Sequence, residues 1–235
     1  MQIELHKANS RGHVKHGWLD SYHSFSFGTY YHPERMGFGY LRVLNDDVID
    51  PASGFDTHPH ANMEIISIPI SGALIHKDNM GNAHVIRDGE VQVMSAGTGV
   101  AHSEYNYSNT EKANFLQIWI LPKLQNIEPR YEQKVFAADA QNNRFQTIVS
   151  PEKDGQSLWI NQDARLQLGN FKAGQTIEIK SFAAGYGMYV FVIDGQVEII
   201  QEILEKRDAI AVQDFDQFTM ASKLDSRVLL IETPV

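Results

Sequence analysis

Two short segments hold the residues best suited to chemistry: His58-Pro59-His60 and His102-Ser103-Glu104. On an extended backbone, residues i and i+2 project to the same face. Each segment therefore presents a pair of donors side by side, two imidazoles in one and an imidazole with a carboxylate in the other. Pro59 favours an extended backbone at His58 and keeps that segment from being a central, doubly paired strand. If the two segments face each other across a small barrel, three neutral nitrogens and one anionic oxygen converge. Such a donor set suits a divalent transition ion. The chain has no cysteine, so disulfides, thiolate catalysis, zinc fingers and iron–sulfur clusters are excluded.

The elements that must position these pairs read as β-strands. Runs rich in β-branched and aromatic residues recur at 64–70, 90–94, 115–121, 188–193 and 227–231. Turn signals separate them, among them Ser71-Gly72, Asp78 to Asn82, Asp88-Gly89 and Asp194-Gly195. Long helical periodicity is absent, and the best short helix candidate is 108–114. A faint duplication runs through the chain. The strand–Gly72–strand unit has a counterpart around Gly195, Arg87-Asp88 pairs with Arg207-Asp208, and 116–122 resembles 228–234. Two similar β domains in tandem are expected, 1–135 and 136–235. The segment 123–143, polar and bearing Pro129, reads as the linker. All ten histidines lie in the first 102 residues. Applying the repeat offsets puts the counterparts of His58, His60, His102 and Glu104 near Ser181, Ala183, Ser222 and Leu224, so one ion per chain is expected.

Composition narrows the function classes. The net charge is −9 and Lys206-Arg207 is the only adjacent basic pair, which argues against direct nucleic-acid binding. No run of about 18 apolar residues exists, so no membrane span is expected. The first residues lack the pattern of a signal peptide, making the cytoplasm the default compartment.

The wider contexts are His58-x-His60-x3-Glu64-x7-Gly72 and Gly89-x5-Ser95-x-Gly97-x4-His102-x3-Asn106. They resemble the two motifs of the cupin superfamily, although Ser95 stands where proline is usual and two extra residues precede His102. That departure, with Arg11-Gly-His13, His16 to Ser21, Phe25-Ser-Phe27, Leu41 to Asp47, Thr57 to His60, Met63-Glu64, Met94 to Gly99 and His102 to Asn106, is similar to the pirin family, especially its bacterial quercetinase-like members. The resemblance is dense from residue 6 to about 135 and thinner beyond.

It implies an all-β bicupin of two jelly-roll-type barrels with metal in the N-terminal one only, held by His58, His60, His102 and Glu104. It implies a dioxygenase cleaving a flavonol such as quercetin with O2, releasing carbon monoxide. The partners are then a small aromatic substrate and O2, with a protein partner as a further option; the pattern is compatible with a monomer. Iron(II) is the first expectation for the ion, with manganese, nickel, copper or zinc as alternatives. Glu104 is the candidate catalytic base, and Glu64 is assigned an orienting or structural role. Two other readings compete: a redox-sensing regulator that binds a transcription factor or metabolic enzyme, and a different cupin enzyme such as an isomerase or hydrolase.

Blander readings cover the rest. His13, His16, His23 and His32 are read as satisfied or exposed, and His6, His76 and His84 as ordinary surface positions. Phe25, Phe27, Phe55 and Met63 are either pocket wall or barrel core. Trp18, Trp119 and Trp159 are read as core, and Gly97-Thr98-Gly99 as a tight turn, not a phosphate loop.

Overall fold

The computed structural model describes all 235 residues and is built almost wholly from strands. Two single 3₁₀ turns, Ala8–Ser10 and Ala138–Gln141, are its sole helical elements, and no helix is long and apolar enough to cross a membrane. The expected helix at 108–114 is not formed. Ser108 instead closes a turn, its Oγ accepting from the backbone N–H of Thr110 and Glu111, and a strand begins at Ala113. A short side chain with a hydroxyl acceptor, such as Ser108, favours a turn of this kind over a helix interior.

Four sheets make two barrels. In the first barrel a seven-stranded sheet runs Arg130–Val135, Glu90–Ser95, Glu64–Ser71, Ala113–Ile120, Leu41–Ile49, Leu19–His23, Gly12–His16. It is faced by a four-stranded sheet, Gly54–His60, Val100–Asn106, Ala73–Asp78, Ala83–Arg87. The second barrel has the sheets Gln2–His6, Ala209–Gln213, Tyr186–Asp194, Ser226–Pro234, Arg165–Phe171, Phe145–Ser150, Leu158–Trp159 and Thr176–Lys180, Gln217–Ser222, Gln196–Ile199, Glu202–Glu205. Read in parallel, the two lists match through the first six strands of the large sheet and all four of the small one, so the duplication seen in the sequence is a duplication of the fold; the seventh strands differ, Gly12–His16 pairing antiparallel with Leu19–His23 and Leu158–Trp159 parallel with Phe145–Ser150.

The strand at the opposite edge is supplied differently in the two barrels. In the first barrel the edge beside Glu90–Ser95 is filled by Arg130–Val135, from the segment read as a linker. In the second barrel the same edge is filled by Gln2–His6, from the other end of the chain, paired residue for residue with 209–213. The His6 ring is thereby buried, its Nδ1 2.8 Å from the Tyr189 hydroxyl, so it is not the surface group its sequence context suggested.

The seven-stranded sheets pack against each other through their outer faces. A core of 26 buried residues joins them, including Leu44, Ile66, Ile118 from one and Leu166, Phe191, Leu229 from the other. These strands are therefore buried on both sides. That is why 64–71 (EIISIPIS) reads as a nearly continuous apolar run and not as an alternation. Polar ties cross the same junction. The Arg207 Nε lies 2.9 Å from Asp46 Oδ2, and the backbone N–H of Asn161 donates to Glu64 Oε2 at 3.2 Å.

Candidate metal centre

The strand Val100–Asn106 is central in its sheet, and its burial alternates residue by residue. Val100, His102, Glu104 and Asn106 point into the barrel. The turn before it depends on Gly97, which has φ +45°. A Cβ there would lie 2.1 Å from the Ile127 carbonyl oxygen, so only glycine lets the chain pass. Gly54–His60 lies on one side, with His58 opposite His102. It is the sheet's edge, where Pro59 costs no ladder bond. Ala73–Asp78 lies on the other side, with Asp78 opposite His102 and His76 opposite Glu104.

Two donor groups result, sharing His102. In one, donor atoms of His58, His60 and His102 lie within 4.8 Å of each other. The ring centroids are 4.5 Å apart for His58 and His102, 4.8 Å for His58 and His60, and 4.9 Å for His60 and His102. His58 and His60 are half-buried at the barrel mouth and His102 is buried. In the other group, donor atoms of His76, His102 and Glu104 lie equally close, all buried. The four residues singled out in the sequence are thus neighbours, but Glu104 groups with the buried His76 and His102 and not with the half-buried His58 and His60 at the mouth. Its carboxylate accepts from Ser67 Oγ at 2.9 Å and Gln117 Nε2 at 2.7 Å.

The electrostatics suit a cation. Burial and the neighbouring rings lower His60 to a pKa of about 4 and His102 to about 3. Both are neutral at pH 7, with a lone pair free to bind metal. The Nε2 of His102 is buried and has no hydrogen-bond partner, a cost that a bound ion would remove. The donor set and this orphaned nitrogen fit a divalent metal.

Aromatic rings flank the imidazoles. Trp119 meets His60 edge to face at 4.9 Å and Phe27 meets Trp119 at 5.2 Å. Opposite, Phe55 packs on Trp18 at 5.0 Å and lies 6.4 Å from His58. Trp18, Trp119 and Trp159 are each partly exposed, and Trp18 and Trp119 pack against small apolar clusters of the first barrel. Phe25, in contrast, belongs to the core between the barrels. Met63 is half-buried beside Trp119.

Several site residues escape sequence reasoning. His76 is fully buried, against the surface position expected for it, because it shares the inward face with Leu74 and Asp78. Around the centre runs a band of polar side chains set by strand register: His23 opposite Asn45, Asn45 opposite Gln117, Gln117 opposite Ser67, Ser67 opposite Gln92, and Gln92 opposite Gln133. Burial lowers the His23 pKa to about 4. A signal was present, since Ser67, Gln92 and Gln117 each interrupt an apolar run. Glu64, on the opposite face of its strand, accepts from Ser95 Oγ at 2.7 Å and from Asn161 of the other barrel. Burial raises its pKa against those two bonds.

A pair of stacked barrels with a histidine-lined mouth in one of them is a bicupin. Family models agree: residues 4–120 match the model described as Pirin, and residues 147–233 match that of the quercetinase C-terminal cupin domain. The chain belongs to the pirin family. It is 44% identical over 233 residues to the quercetin 2,3-dioxygenase of Escherichia coli K12, with 99% of each chain covered. It is 39% identical over 224 residues to a pirin-like protein of Caulobacter vibrioides, covering 94% of this chain and 95% of that one. Among solved structures, the bacterial pirin YhhW of E. coli in complex with nickel(II) superposes with a TM-score of 0.94 at 43% identity, over 99% of both chains.

Proposed function

We propose that this protein is a metal-dependent dioxygenase that cleaves a flavonol such as quercetin, using O2 at a centre formed by His58, His60, His102 and Glu104. The observation that carries this reading is the cluster of three imidazoles at a half-exposed mouth, with aromatic rings on two sides. The names of the relatives and the nickel in the E. coli structure support it. A divalent ion there, iron(II) first and manganese, nickel, copper or zinc as alternatives, supplies a Lewis acid that lowers the pKa of a substrate hydroxyl.

The chain's own groups do the remaining work. The imidazoles of His58, His60 and His102, with Glu104, would hold the ion. Trp119 and Phe27 on one side, and Phe55 and Trp18 on the other, offer apolar ring faces to a planar substrate and keep bulk water off it. Glu104 takes the hydroxyl proton onto a carboxylate oxygen, exchanging one of its bonds to Ser67 or Gln117 as it does so.

The test is turnover of quercetin by protein reconstituted separately with each metal, under air and under argon. The expected result is O2-dependent loss of quercetin with release of carbon monoxide. Absence of carbon monoxide with every metal overturns the reading.

A further inference from the structure

Behind His102 lies a second layer of polar contacts that the coordination of a metal does not itself require. The Asp78 side chain is fully buried. Its Oδ1 accepts from the backbone N–H of Met80 at 2.9 Å and of Asn82 at 3.0 Å. Its Oδ2 accepts from Asn82 Nδ2 at 2.8 Å and faces His76 Nε2 at 3.0 Å. The other ring nitrogen of His76, Nδ1, faces His102 Nδ1 at 3.4 Å. The His76 ring is held by Tyr131, 4.6 Å away, and Tyr131 is itself stacked on His84.

We propose that Asp78 and His76 act as a relay that fixes the tautomer of His102, leaving its Nε2 bare toward His58 and His60. The logic is a chain of single choices. Asp78 receives donors at every contact, so it acts as an acceptor and the nitrogen facing it, His76 Nε2, carries a hydrogen. With a single N–H on the His76 ring, its Nδ1 is a lone pair. Two lone pairs cannot face each other favourably at 3.4 Å, so His102 Nδ1 carries its ring's hydrogen. His102 Nε2 is then unprotonated, which matches its lack of any hydrogen-bond partner.

The one other anionic group near His76, Glu104, does not disturb this order, because both its oxygens already accept hydrogens from Ser67 and Gln117. Without the relay His102 is free to take the Nε2–H form, which is the commoner tautomer of imidazole in water and cannot bind an ion through that nitrogen. His76 and Asp78 are thus positioning residues. Their purpose rests on the metal-centre reading, but the tautomer itself does not.

The experiment follows the ring nitrogens directly. Metal-free protein labelled with ¹⁵N-histidine is examined by long-range ¹H–¹⁵N correlation, with the His102 signals assigned by their loss in His102→Gln. The expected wild-type result is a His102 ring protonated at Nδ1. Asp78→Asn presents an amide N–H₂ to His76, reverses the order of both rings and moves the His102 hydrogen to Nε2. His76→Phe keeps the packing but removes the acceptor, giving a mixed His102 tautomer. His76→Asn, with an acceptor oxygen close to the Nδ1 position, restores the wild-type pattern.

Nickel affinity, measured by calorimetry, falls about 10–100-fold in Asp78→Asn and His76→Phe, and recovers in His76→Asn. A wild-type His102 protonated at Nε2 overturns the relay. So does a loss of nickel affinity in the variants with no change of tautomer. If the tautomers behave as expected and quercetin is still not consumed, the dioxygenase reading fails and the relay stands.

Discussion

The two barrels share a strand order but not an interior. Register pairs His102 with Phe218, Glu104 with Met220, His76 with Ile199 and His58 with Ile179. The polar band of the first barrel has an equally clear counterpart. Asn45, Gln117, Ser67, Gln92 and Gln133 correspond to Gln167, Leu230, Val190, Ile210 and Leu5. Most of these replacements, with Phe218, Met220, Ile199 and Ile179, form the second barrel's apolar core. One scaffold thus supports two kinds of interior. The first leaves polar atoms unpaired, such as both amide atoms of Gln92, and keeps donors free for an ion. The second fills the same space with side chains that have nothing to satisfy.

The strongest way to break this comparison is to exchange the roles of equivalent positions. His102→Ala should lower nickel affinity by at least about 100-fold, read by calorimetry and elemental analysis. Phe218→Ala should leave metal uptake intact and instead cost about 3–5 kcal/mol in urea unfolding. If Phe218→Ala also empties the metal centre, the barrels are coupled more tightly than their separate cores suggest.

Next in size is Met220→Glu. It buries a charge among Ile199, Leu230 and Phe218 with no Ser67 or Gln117 to receive it, and should cost about 3–5 kcal/mol. Tolerance of this change would show that the second interior is wetter than its apolar packing implies.

A third difference is the response to pH. Burial drives the Asp47 carboxyl up to about 7, against the hydrogen bond from Ser21. Its counterpart by register, opposite Val228, is Gly169. A raised folded pKa favours the protonated folded state. Its contribution is therefore fully present below about pH 4 and is lost as pH rises through 7. The loss can reach about 1.4 kcal/mol per pH unit over that window. Asp47→Asn should flatten this slope, so that the variant gains on the wild type in urea midpoint between pH 4 and 7. An unchanged slope would remove Asp47 from the account.

The smallest expected effect separates the two glutamates. Glu64→Ala should cost about 1–3 kcal/mol, by leaving Ser95 Oγ and the Asn161 N–H without an acceptor, while metal occupancy holds. Glu104→Ala should lower occupancy more than Glu64→Ala does. The reverse ranking would overturn Glu104 as the fourth ligand.

The three imidazoles were legible because i and i+2 on a strand share a face, a local rule that needs no knowledge of the fold. The duplication was legible because hairpin turns such as Gly72 and Gly195 recur in order. Where reading failed, the missing information was register. Offsets carried over from those turns put the counterparts of His102 and Glu104 at Ser222 and Leu224. Strand pairing instead places them at Phe218 and Met220, because the second barrel's turns are shorter. Register also decides that Ser67 and Gln117 reach Glu104. His76 was missed although its alternation with Leu74 and Asp78 points inward, since a lone histidine in ALIHKD carries no pattern of its own. The segment 130–135 looked like a linker because an edge strand needs few apolar residues.

The exchange of edge strands has a consequence for how the molecule is made. Residues 2–6 leave the ribosome well before their partners at 209–213, which come about 200 residues later. At about 5–20 residues per second, the opening segment waits on the order of 10–40 s for its place in the sheet. The first barrel has all its strands by residue 135 and can fold during that wait, whereas the second is completed only when the two ends of the chain meet.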